Sequence, residues 1–437
     1  MKMNKTFKTK WSSLRQQYIV TDEKHVLKGK ASKNTVTLAI AAVLAIASGT
    51  SSAAYVEKGV VGNQASWESA EYQKDWGLAA MNASKAYSLG FNGQNVAVGV
   101  MDSGALLQKH PELAGNRFHA SSAQGKYGST GNRYQTGVRG IGDVFKNGDY
   151  KEGESFNLDG NFIAEKNDTH GTHVTGTVGA NRDGSEFHGV AWGANVYVGN
   201  SGGTDNTNYG PFQDYKYFHA AWSSLAQDLI AANGTERGGV INNSFGTNLR
   251  YGASGGTSLP VNSTAQTEYE YFLFKQVYGD KKTFVDAAWD AVKGTNVVQV
   301  FTTGNRDFAN PYYRPLYPYF SPEAERNWIA VAGLQKDGVG TDGKDTYKWI
   351  SNFNEAGNAK WWTIAAPGRD IYSSIVYDDH YEDTDALHPL GTPGCLLRRY
   401  IHGGASRLWC YDCSNVSLSG YECYPGPRHP FHDGAPY

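Results

Sequence analysis

Cysteine is missing from the first 394 of the 437 residues of this chain. A protein exported into an oxidising compartment is well served by such a sequence, because stray disulfides cannot form. The four cysteines that are present, Cys395, Cys410, Cys413 and Cys423, are confined to the end of the chain. Their sudden appearance indicates that the last part of the chain is a different kind of sequence from the rest.

An excess of charge of one sign is also lacking. The 40 Lys and Arg residues nearly balance the 42 Asp and Glu residues, which leaves a net charge of −2. Such a chain has no electrostatic attraction to a polyanion, so we expect no nucleic-acid partner. With 40% hydrophobic and 19% charged residues, the chain is globular rather than disordered.

The first 54 residues contain a basic region and a short apolar run, Val36–Ala47, followed by the small residues Ser52-Ala53-Ala54. The run is shorter than the about 20 residues that span a bilayer, and the arrangement is typical of a cleaved signal peptide. We therefore predict a signal peptide over residues 1–54 and no membrane span, with a buried core helix as the alternative. Met3–Trp11 also resembles the extended signal region of bacterial autotransporters. That resemblance implies export to the periplasm, cell surface or exterior, and an outer-membrane barrel lost with the C-terminus.

Apolar segments alternate with helical patterns through the middle of the chain. The predicted strands are Asn95–Met101, Asn195–Val198, Gly239–Asn243, Val297–Phe301 and Trp328–Ala332, and the predicted helices are Trp76–Ala83, a helix from His170, Phe218–Ala232 and Thr283–Ala291. Strands that are apolar almost throughout are typical of a parallel sheet covered on both faces. The pattern predicts an α/β fold with a doubly wound, mostly parallel sheet flanked by helices. The polar, glycine-rich residues 115–168 are interpreted as a loop excursion.

Two residues at the ends of these elements have the chemistry of a proton-transfer pair. Asp102 follows the first strand, at the edge where open α/β sheets place their active sites. His170 lies among small residues at a predicted helix start. A hydroxyl nucleophile needs a base such as His170 to take its proton, and the base needs an acid such as Asp102 to fix its tautomer. Taken alone, Asp102 has a simpler interpretation as a cap or turn residue, and His170 as a histidine at the edge of the core.

Several short motifs follow one another along the chain. They are Asp102-Ser103-Gly104, His170-Gly171-Thr172-His173-Val174-Thr175-Gly176, Val240-Ile241-Asn242-Asn243-Ser244-Phe245-Gly246, Thr302-Thr303-Gly304-Asn305 and Ala365-Ala366-Pro367-Gly368. In this order they resemble the subtilisin-like serine proteases over about Trp76–Ser374. The resemblance implies peptide-bond hydrolysis with Asp102 and His170 as catalytic residues and Asn305 as the donor to the oxyanion. It also implies that Ser244, Phe245 and Gly246 bind the substrate.

The serine nucleophile that this resemblance requires is absent. The family's segment Gly-Thr-Ser-Met-Ala-x-Pro, with its serine at the start of a helix, does not follow Gly368. Ser258, which follows Gly-Gly-Thr, precedes Asn305 and lacks the rest of the segment, and Ser406 fits no better. We therefore assign no nucleophile in frame. We expect a peptidase domain over residues 55–384 that is incomplete at its C-terminus, in a chain truncated before its catalytic serine.

A one-base slip of the reading frame explains the tail. When the last two bases of each codon are combined with the first base of the next, from Arg398 to Trp409, codon degeneracy permits Gly-Gly-Thr-Ser-Met-Ala-Ala-Pro-His-Val-Ser-Gly. We call this the shifted segment, and its first serine is encoded across Ile401 and His402. Residues 385–437 are then a frameshifted tail whose cysteines have no evolved role. The alternative is a genuine extension with a zinc site at Cys410 and Cys413, although a second pair with that spacing is lacking.

These observations predict an exported serine endopeptidase that acts on proteins or peptides, with the present chain inactive for want of its nucleophile. The alternative is a non-catalytic, peptide-binding passenger with a protease-like fold. We expect no cofactor and assign no metal site, because Asp159 and Asp168 are isolated loop aspartates of the kind that form turns. The resemblance allows calcium, for which no site is assigned.

Overall fold

The computed structural model describes residues 7–12, 17–22, 59–130, 150–163, 167, 169–184, 186–201, 214–245, 282–305, 307–376 and 395–397. The chain divides into two compact units, Met1–Ala54 and Tyr55–Tyr437. In the first unit, β1 (Phe7–Ser12) and β2 (Gln17–Asp22) form an antiparallel pair. The predicted apolar run Val36–Ala47 lies outside the described residues.

The second unit contains helices and strands in alternation. Its helices are α1 (Ala70–Lys74), α2 (Trp76–Ala80), α3 (Ala83–Ser88), α4 (His170–Gly179), α5 (Tyr215–Asn233), α6 (Phe284–Asp290) and α7 (Tyr317–Phe320). Its strands are β3 (Ala97–Asp102), β4 (Phe118–Ala120), β5 (Ser122–Lys126), β6 (Ser155–Asp159), β7 (Asn195–Asn200), β8 (Gly239–Asn243), β9 (Val297–Thr302), β10 (Trp328–Val339), β11 (Asp345–Trp349), β12 (Thr363–Pro367), β13 (Ile371–Ser373) and β14 (Cys395–Leu397). Short 3₁₀ stretches cover Gln64–Trp67, Pro111–Leu113, Pro322–Asn327 and Gly357–Ala359. In the part of the chain that is described, no helix has the length and apolar character needed to cross a membrane.

One sheet forms the centre of the second unit. Its strand order is β11-β10-β9-β8-β3-β7-β4, with β12 also paired to β10. Every pairing in it is parallel except that of β10 with β11. The five predicted strands are its central ones, and helices pack on both faces. The predicted mostly parallel α/β architecture is therefore confirmed.

The two faces of the sheet are covered by different helices. On one face, α5 and α6 help to bury Met101, Ile241 and Phe301 in the largest hydrophobic cluster of the described residues. On the other face, Val174 of α4 packs in a second cluster with Val100 of β3 and with β7. This packing holds α4 against β3. His170 is the first residue of α4, so it lies near Asp102, the last residue of β3.

Local structure departs from the prediction at three places. β10 continues beyond the predicted Trp328–Ala332 to Val339 and forms a hairpin with β11. Ion pairs such as Lys336–Asp345 (2.9 Å) link the two strands of this exposed hairpin. Because charged residues occupy these positions, the sequence has no apolar run from which the hairpin could be predicted. Residues 115–168, interpreted as a loop, contain β4 at the sheet edge and the β5–β6 pair. The predicted helix Trp76–Ala83 is split into α2 and α3, and Asn82 between them has a left-handed backbone, with φ of +56°.

Asp75 caps the start of α2 from a buried position. Its Oδ1 accepts a hydrogen bond from the Gly77 backbone N–H (2.8 Å), and its side chain is 4% exposed. Burial raises the pKa of Asp75 from the ordinary 3.8 to about 6, although the bond from Gly77 opposes the change. The charged form of this side chain is therefore held in an environment that disfavours it.

We predict that Asp75→Asn stabilises the protein more at pH 7 than at pH 4. Because the pKa is raised, the folded protein keeps a proton that the unfolded chain has released, so ionisation of Asp75 lowers the free energy of unfolding as the pH rises from about 4 to about 6. Asn retains a capping oxygen and removes the charge, a gain on the order of 3 kcal/mol at pH 7. Urea unfolding at the two pH values measures the effect, with the exposed Asp342→Asn as control. Equal effects of Asp75→Asn at both pH values would contradict the prediction.

Candidate active site

Asp102 is the last residue of β3, at the carboxyl edge of the sheet. Its side chain is 1% exposed, and its Oδ1 lies 2.9 Å from Nδ1 of His170. The same oxygen accepts a hydrogen bond from the Ser103 backbone N–H (2.8 Å), and Oδ2 has no hydrogen-bond partner among the described residues. A carboxylate in this position favours the tautomer with the proton on Nδ1, which makes Nε2 of His170 the basic nitrogen.

His170 can approach Asp102 because the residue after it has no side chain. A Cβ on Gly171 would lie 2.2 Å from the Gly104 carbonyl oxygen, so any other residue would push α4 away from the turn after β3. Gly104 itself has φ of +86°, in the left-handed region that glycine adopts most readily. The glycines of the two motifs thus have a physical role, which is to let the helix start touch the strand end.

Two hydroxyl groups fasten the turn after β3 to the start of α4. Ser103 Oγ accepts a hydrogen bond from the Gly171 backbone N–H (2.9 Å), and Thr172 Oγ1 accepts one from the Leu106 backbone N–H (3.1 Å). Both hydroxyl-bearing residues are buried. Neither was identified from the sequence as functional, and their place inside the Asp-Ser-Gly and His-Gly-Thr motifs was the signal that pointed to them.

Asn305 lies in a tight turn that follows β9. Gly304 has φ of +116°, and a Cβ on it would lie 2.6 Å from the Tyr312 ring. The fully buried Asn354 fastens this turn from the other side. Its side-chain amide donates to the Thr303 carbonyl (3.1 Å), its backbone N–H donates to the Gly304 carbonyl (2.9 Å), and its own carbonyl accepts from Thr303 Oγ1 (2.9 Å). Asn354 therefore positions the Asn305 turn, a role for which the sequence held no signal.

The segment after β8, implied to bind substrate, is only partly directed at the candidate site. Ser244 is partly buried and lines the site, and its Oγ accepts a hydrogen bond from the Asn242 side chain (2.9 Å). The Phe245 side chain is 3% exposed and stacks against Trp222 in the core, with ring centroids 6.3 Å apart. Gly246 lies outside the described residues. Of these three residues, only Ser244 is therefore seen to present its side chain to the site.

A cleft of about 250 Å³ brings His170, Ser244 and Asn305 together at the carboxyl edge of the sheet. Its remaining walls come from α4, the end of β9, the middle of β10 and residues 366–371. Trp76 of α2 donates a hydrogen bond from Nε1 to the Arg369 carbonyl (2.9 Å), which supports the last of these walls. A candidate base and a candidate oxyanion donor thus line the same cleft.

Two hydroxyl groups that line this cleft already donate hydrogen bonds elsewhere. Thr177 Oγ1 donates to the His173 carbonyl (3.1 Å), and Thr303 Oγ1 donates to the Asn354 carbonyl (2.9 Å). Neither is therefore placed to give its proton to His170. Ser258 and Ser406, the in-frame serines considered above, lie outside the described residues.

Asp159 behaves as a turn residue. Its Oδ1 accepts hydrogen bonds from the backbone N–H (2.9 Å) and the side-chain amide (3.0 Å) of Asn161, which is the Asx-turn pattern. Asp168 falls in a gap of the described chain. In the ranges that are described, no group of three or more His, Cys, Asp or Glu side chains is arranged to hold a metal ion.

One family model matches more than half of the chain. Residues 93–391 match the model of the subtilase family, and the match ends just before the first cysteine of the chain. An extracellular serine protease of Serratia marcescens is 27% identical over 353 residues, which are 75% of this chain and 27% of that protein. The autotransporter lipoprotein NalP of Neisseria meningitidis serogroup B is 25% identical over 349 residues, 73% of this chain and 30% of NalP.

The chain therefore spans less than a third of the length of these two relatives. Among solved structures, that of the prenylagaramide maturation protease PagA aligns with 67% of this chain and 70% of its own, at 15% identity and a TM-score of 0.36.

Proposed function

The chain belongs to the subtilase family, and from that premise we propose that it is the catalytic domain of an exported serine endopeptidase whose nucleophile lies outside the present reading frame. The observation that carries the proposal is the Asp102–His170 contact of 2.9 Å, which opens into the same cleft as Asn305. A buried acid and base at the carboxyl edge of a parallel sheet, with an amide side chain lining the same cleft, are the groups that acyl transfer requires besides a nucleophile.

Each of these residues has a defined step in the proposed reaction. Nε2 of His170 takes the proton of a serine hydroxyl as the hydroxyl oxygen attacks the carbonyl carbon of the substrate. Asp102 holds the imidazole through Nδ1 and stabilises the imidazolium that forms. The carbonyl oxygen becomes an oxyanion, and the Asn305 amide donates a hydrogen bond to it. His170 then gives the proton to the departing amine, and a water molecule hydrolyses the acyl-enzyme through the same base.

The serine of this reaction is proposed to come from the shifted segment. Twelve consecutive positions, Arg398–Trp409, permit the family's missing motif in the neighbouring frame, and the family match stops at residue 391, before those positions. Both facts support a frame slip within residues 385–437 and a peptidase domain over residues 55–384. On this proposal the present chain is inactive, and its four cysteines serve no purpose.

Export is the second part of the proposal. One relative is named as an extracellular protease and another as an autotransporter lipoprotein. The basic and apolar pattern of residues 1–54 supports a signal peptide that is removed before the peptidase domain folds. Proteins or peptides outside the cytoplasm are then the substrates.

The proposed activity is tested with a version of the protein in which the reading frame is corrected upstream of codon 398. The corrected protein should cleave unfolded protein substrates, and a serine-directed inhibitor should abolish the cleavage. Binding of peptides without any turnover by the corrected protein would contradict the proposal and favour a non-catalytic binding domain.

We predict that Asn305→Ala in the corrected protein lowers kcat by about 10² to 10³, because one preorganised donor to the oxyanion is lost. KM should change little, since the amide bonds strongly only to the transition state. Asn305→Asp, which has the same shape and no amide donor, should be similarly impaired. Steady-state kinetics on a peptide substrate measures both variants, and a loss confined to KM would show that Asn305 contacts substrate without serving the oxyanion.

A further inference from the structure

The chain that leads into α4 is fastened by a buried asparagine, Asn167, three residues before His170. Its side chain is 2% exposed, and its Oδ1 accepts a hydrogen bond from the Ile163 backbone N–H (3.0 Å). Its own backbone N–H donates to the Ile163 carbonyl (2.9 Å). Thr169, the residue before the helix, makes no side-chain capping bond to the described start of α4. The position of the chain as it enters His170 therefore depends on Asn167.

Asn167 is joined to a second buried asparagine, Asn200, at the end of β7. Asn200 Nδ2 donates to Asn167 Oδ1 (3.1 Å), and Asn167 Nδ2 donates back to Asn200 Oδ1 (3.4 Å). Asn200 is 3% exposed, and its Nδ2 also donates to the Asn161 carbonyl (3.3 Å). Reversing either amide would bring two acceptors or two donors together, so both orientations are fixed. We call Asn167 and Asn200 the asparagine pair.

Asn200 is also tied to Asp102. The two residues lie opposite each other in the parallel β3–β7 register, and the backbone N–H of Ser201, the next residue, donates to the Asp102 carbonyl (2.6 Å). A Cβ on Gly104 would lie 2.8 Å from Asn200 Nδ2, so the amide lies against the turn after Asp102. The Tyr217 hydroxyl of α5 donates to the Asn200 carbonyl (2.6 Å), which anchors the end of β7. Asn200 thus contacts the segment of the candidate acid and, through the other member of the pair, the segment of the candidate base.

We propose that Asn200 is a positioning residue for the contact between Asp102 and His170, and that it acts through Asn167. The inference rests on the proposed function, because it assigns the asparagine pair to the base of that reaction. The contact of 2.9 Å joins residues that are 68 positions apart, so its length depends on how their two segments are held together. The hydroxyl bonds described above hold α4 after His170, and the asparagine pair holds the chain before it.

The first test follows the tautomer of His170 in the full chain as it is. Nitrogen NMR of protein with isotope-labelled histidine separates the two neutral tautomers, and the His170 signals are assigned by their loss in His170→Gln. The unaltered chain should carry the proton on Nδ1, where Asp102 accepts it. In Asn200→Ala the imidazole is no longer held against Asp102, so a mixture of the two tautomers is expected. Asn167→Ala, which breaks the pair from the other side, should give the same mixture.

Conservative substitutions separate the hydrogen bonds of the pair from the mere presence of asparagine. In Asn167→Asp a carboxyl oxygen can still accept from Ile163 and from Asn200, whether the group is ionised or protonated. His170 should therefore keep the tautomer of the unaltered chain. Asn200→Asp removes Nδ2, which donates to Asn161 and to Asn167, and should behave like Asn200→Ala.

The matched control is Asn327→Ala. Asn327 is also 2% exposed, and its Nδ2 donates to the carbonyls of Thr295 (3.0 Å) and Val297 (2.7 Å), at the amino end of β9. Its replacement removes a buried amide of the same kind far along the sheet from the carboxyl edge. It should lower the free energy of unfolding, as Asn200→Ala does, and leave the tautomer of His170 unchanged. Circular dichroism confirms that each variant is folded.

A second readout uses the frame-corrected protein. Asn200→Ala should lower kcat by about 10²-fold, the cost of a displacement of about 1 Å in the reacting groups. KM should change little, because the asparagine pair holds the base and not the substrate. Asn327→Ala should leave both constants unchanged.

The positioning role and the proposed function fail in different ways. If Asn200→Ala is folded and His170 keeps the tautomer of the unaltered chain, or if Asn327→Ala changes the tautomer as much, the positioning role is wrong, whatever the frame-corrected protein does. If Asn200→Ala does not fold, Asn167→Ala decides by the same criterion. If the tautomers change as predicted and the frame-corrected protein cleaves nothing, the positioning role is supported and the proposed protease activity is wrong.

Discussion

Correcting the reading frame by one base upstream of codon 398 is expected to raise peptide hydrolysis by about 2 × 10⁶-fold over the present chain. This is the factor by which removal of the triad serine lowers kcat in subtilisin, the measured case for this family. The correction supplies the serine, and Asp102 and His170 are already in contact at 2.9 Å to receive it. Because the base, its acid and the Asn305 turn are in place, the serine is the one chemical group that the change has to add.

The comparison needs the two proteins purified in parallel and assayed on one peptide substrate. The control is the corrected protein with alanine at the restored serine, which keeps the new helix and should return activity to the level of the present chain. Cleavage by the present chain that a serine-directed inhibitor abolishes would contradict the assignment of the nucleophile. A corrected protein that is folded but inert would contradict the assignment of the whole site.

In the corrected protein, Asp102→Asn is expected to lower kcat by about 10⁴-fold. The side chain of Asp102 is 1% exposed and its Oδ1 contacts Nδ1 of His170, so the amide of Asn either turns toward that nitrogen or leaves it unprotonated. In both cases the imidazole loses the tautomer in which Nε2 is the base. The Ser103 backbone N–H can still donate to the oxygen of Asn, which preserves the turn after β3.

The matched control for this substitution is Asp159→Asn. Asp159 makes the same kind of local bond, accepting from the Asn161 backbone, and lies at the end of β6 rather than at the carboxyl end of β3. Its replacement should leave kcat unchanged. A loss of less than about tenfold in Asp102→Asn, with the fold intact by circular dichroism, would contradict the role of Asp102 as the partner of the base.

The central strands were predictable because each is a nearly continuous run of apolar residues. β8 was predicted to the residue, as Gly239–Asn243. The β10–β11 hairpin was not predictable, because its exposed cross-strand pairs, such as Lys348–Asp337 (2.6 Å), replace the apolar pattern. The predicted helix Trp76–Ala83 is interrupted at Asn82, whose backbone φ is positive. The helical pattern of the sequence does not indicate this left-handed residue.

Residues of the candidate site were predictable from the sequence only where they belong to a short, recognisable motif. Asp102 and His170 were chosen from local sequence, and the structure brings them together across 68 residues of chain. Asn354 could not be chosen, because its bonds to Thr303 span 51 residues and no motif connects the two. Phe245 shows the reverse, since the motif implies a contact with substrate while its side chain is committed to Trp222. Motifs thus predict which groups react, and long-range contacts decide how the groups are held.

The two faces of β8 are buried to different extents. The sequence pattern predicts apolar side chains on β8, β9 and β10 but not which of them are buried. The structure shows the difference, since Ile241 is 0% exposed and its neighbour Val240 is 42% exposed. Apolar surface left bare in this way forgoes about 25 cal/mol per Å² of stabilisation.

The most direct test of the account is to sequence the DNA across the codons for Pro367–Tyr437 from an independent isolate. We predict that the bases of codons 398–409, taken one position later, encode Gly-Gly-Thr-Ser-Met-Ala-Ala-Pro-His-Val-Ser-Gly, and that a single inserted or deleted base upstream separates the two frames. Codons that fail to encode this segment in the neighbouring frame would contradict the account and make Cys395, Cys410, Cys413 and Cys423 part of a genuine C-terminal extension.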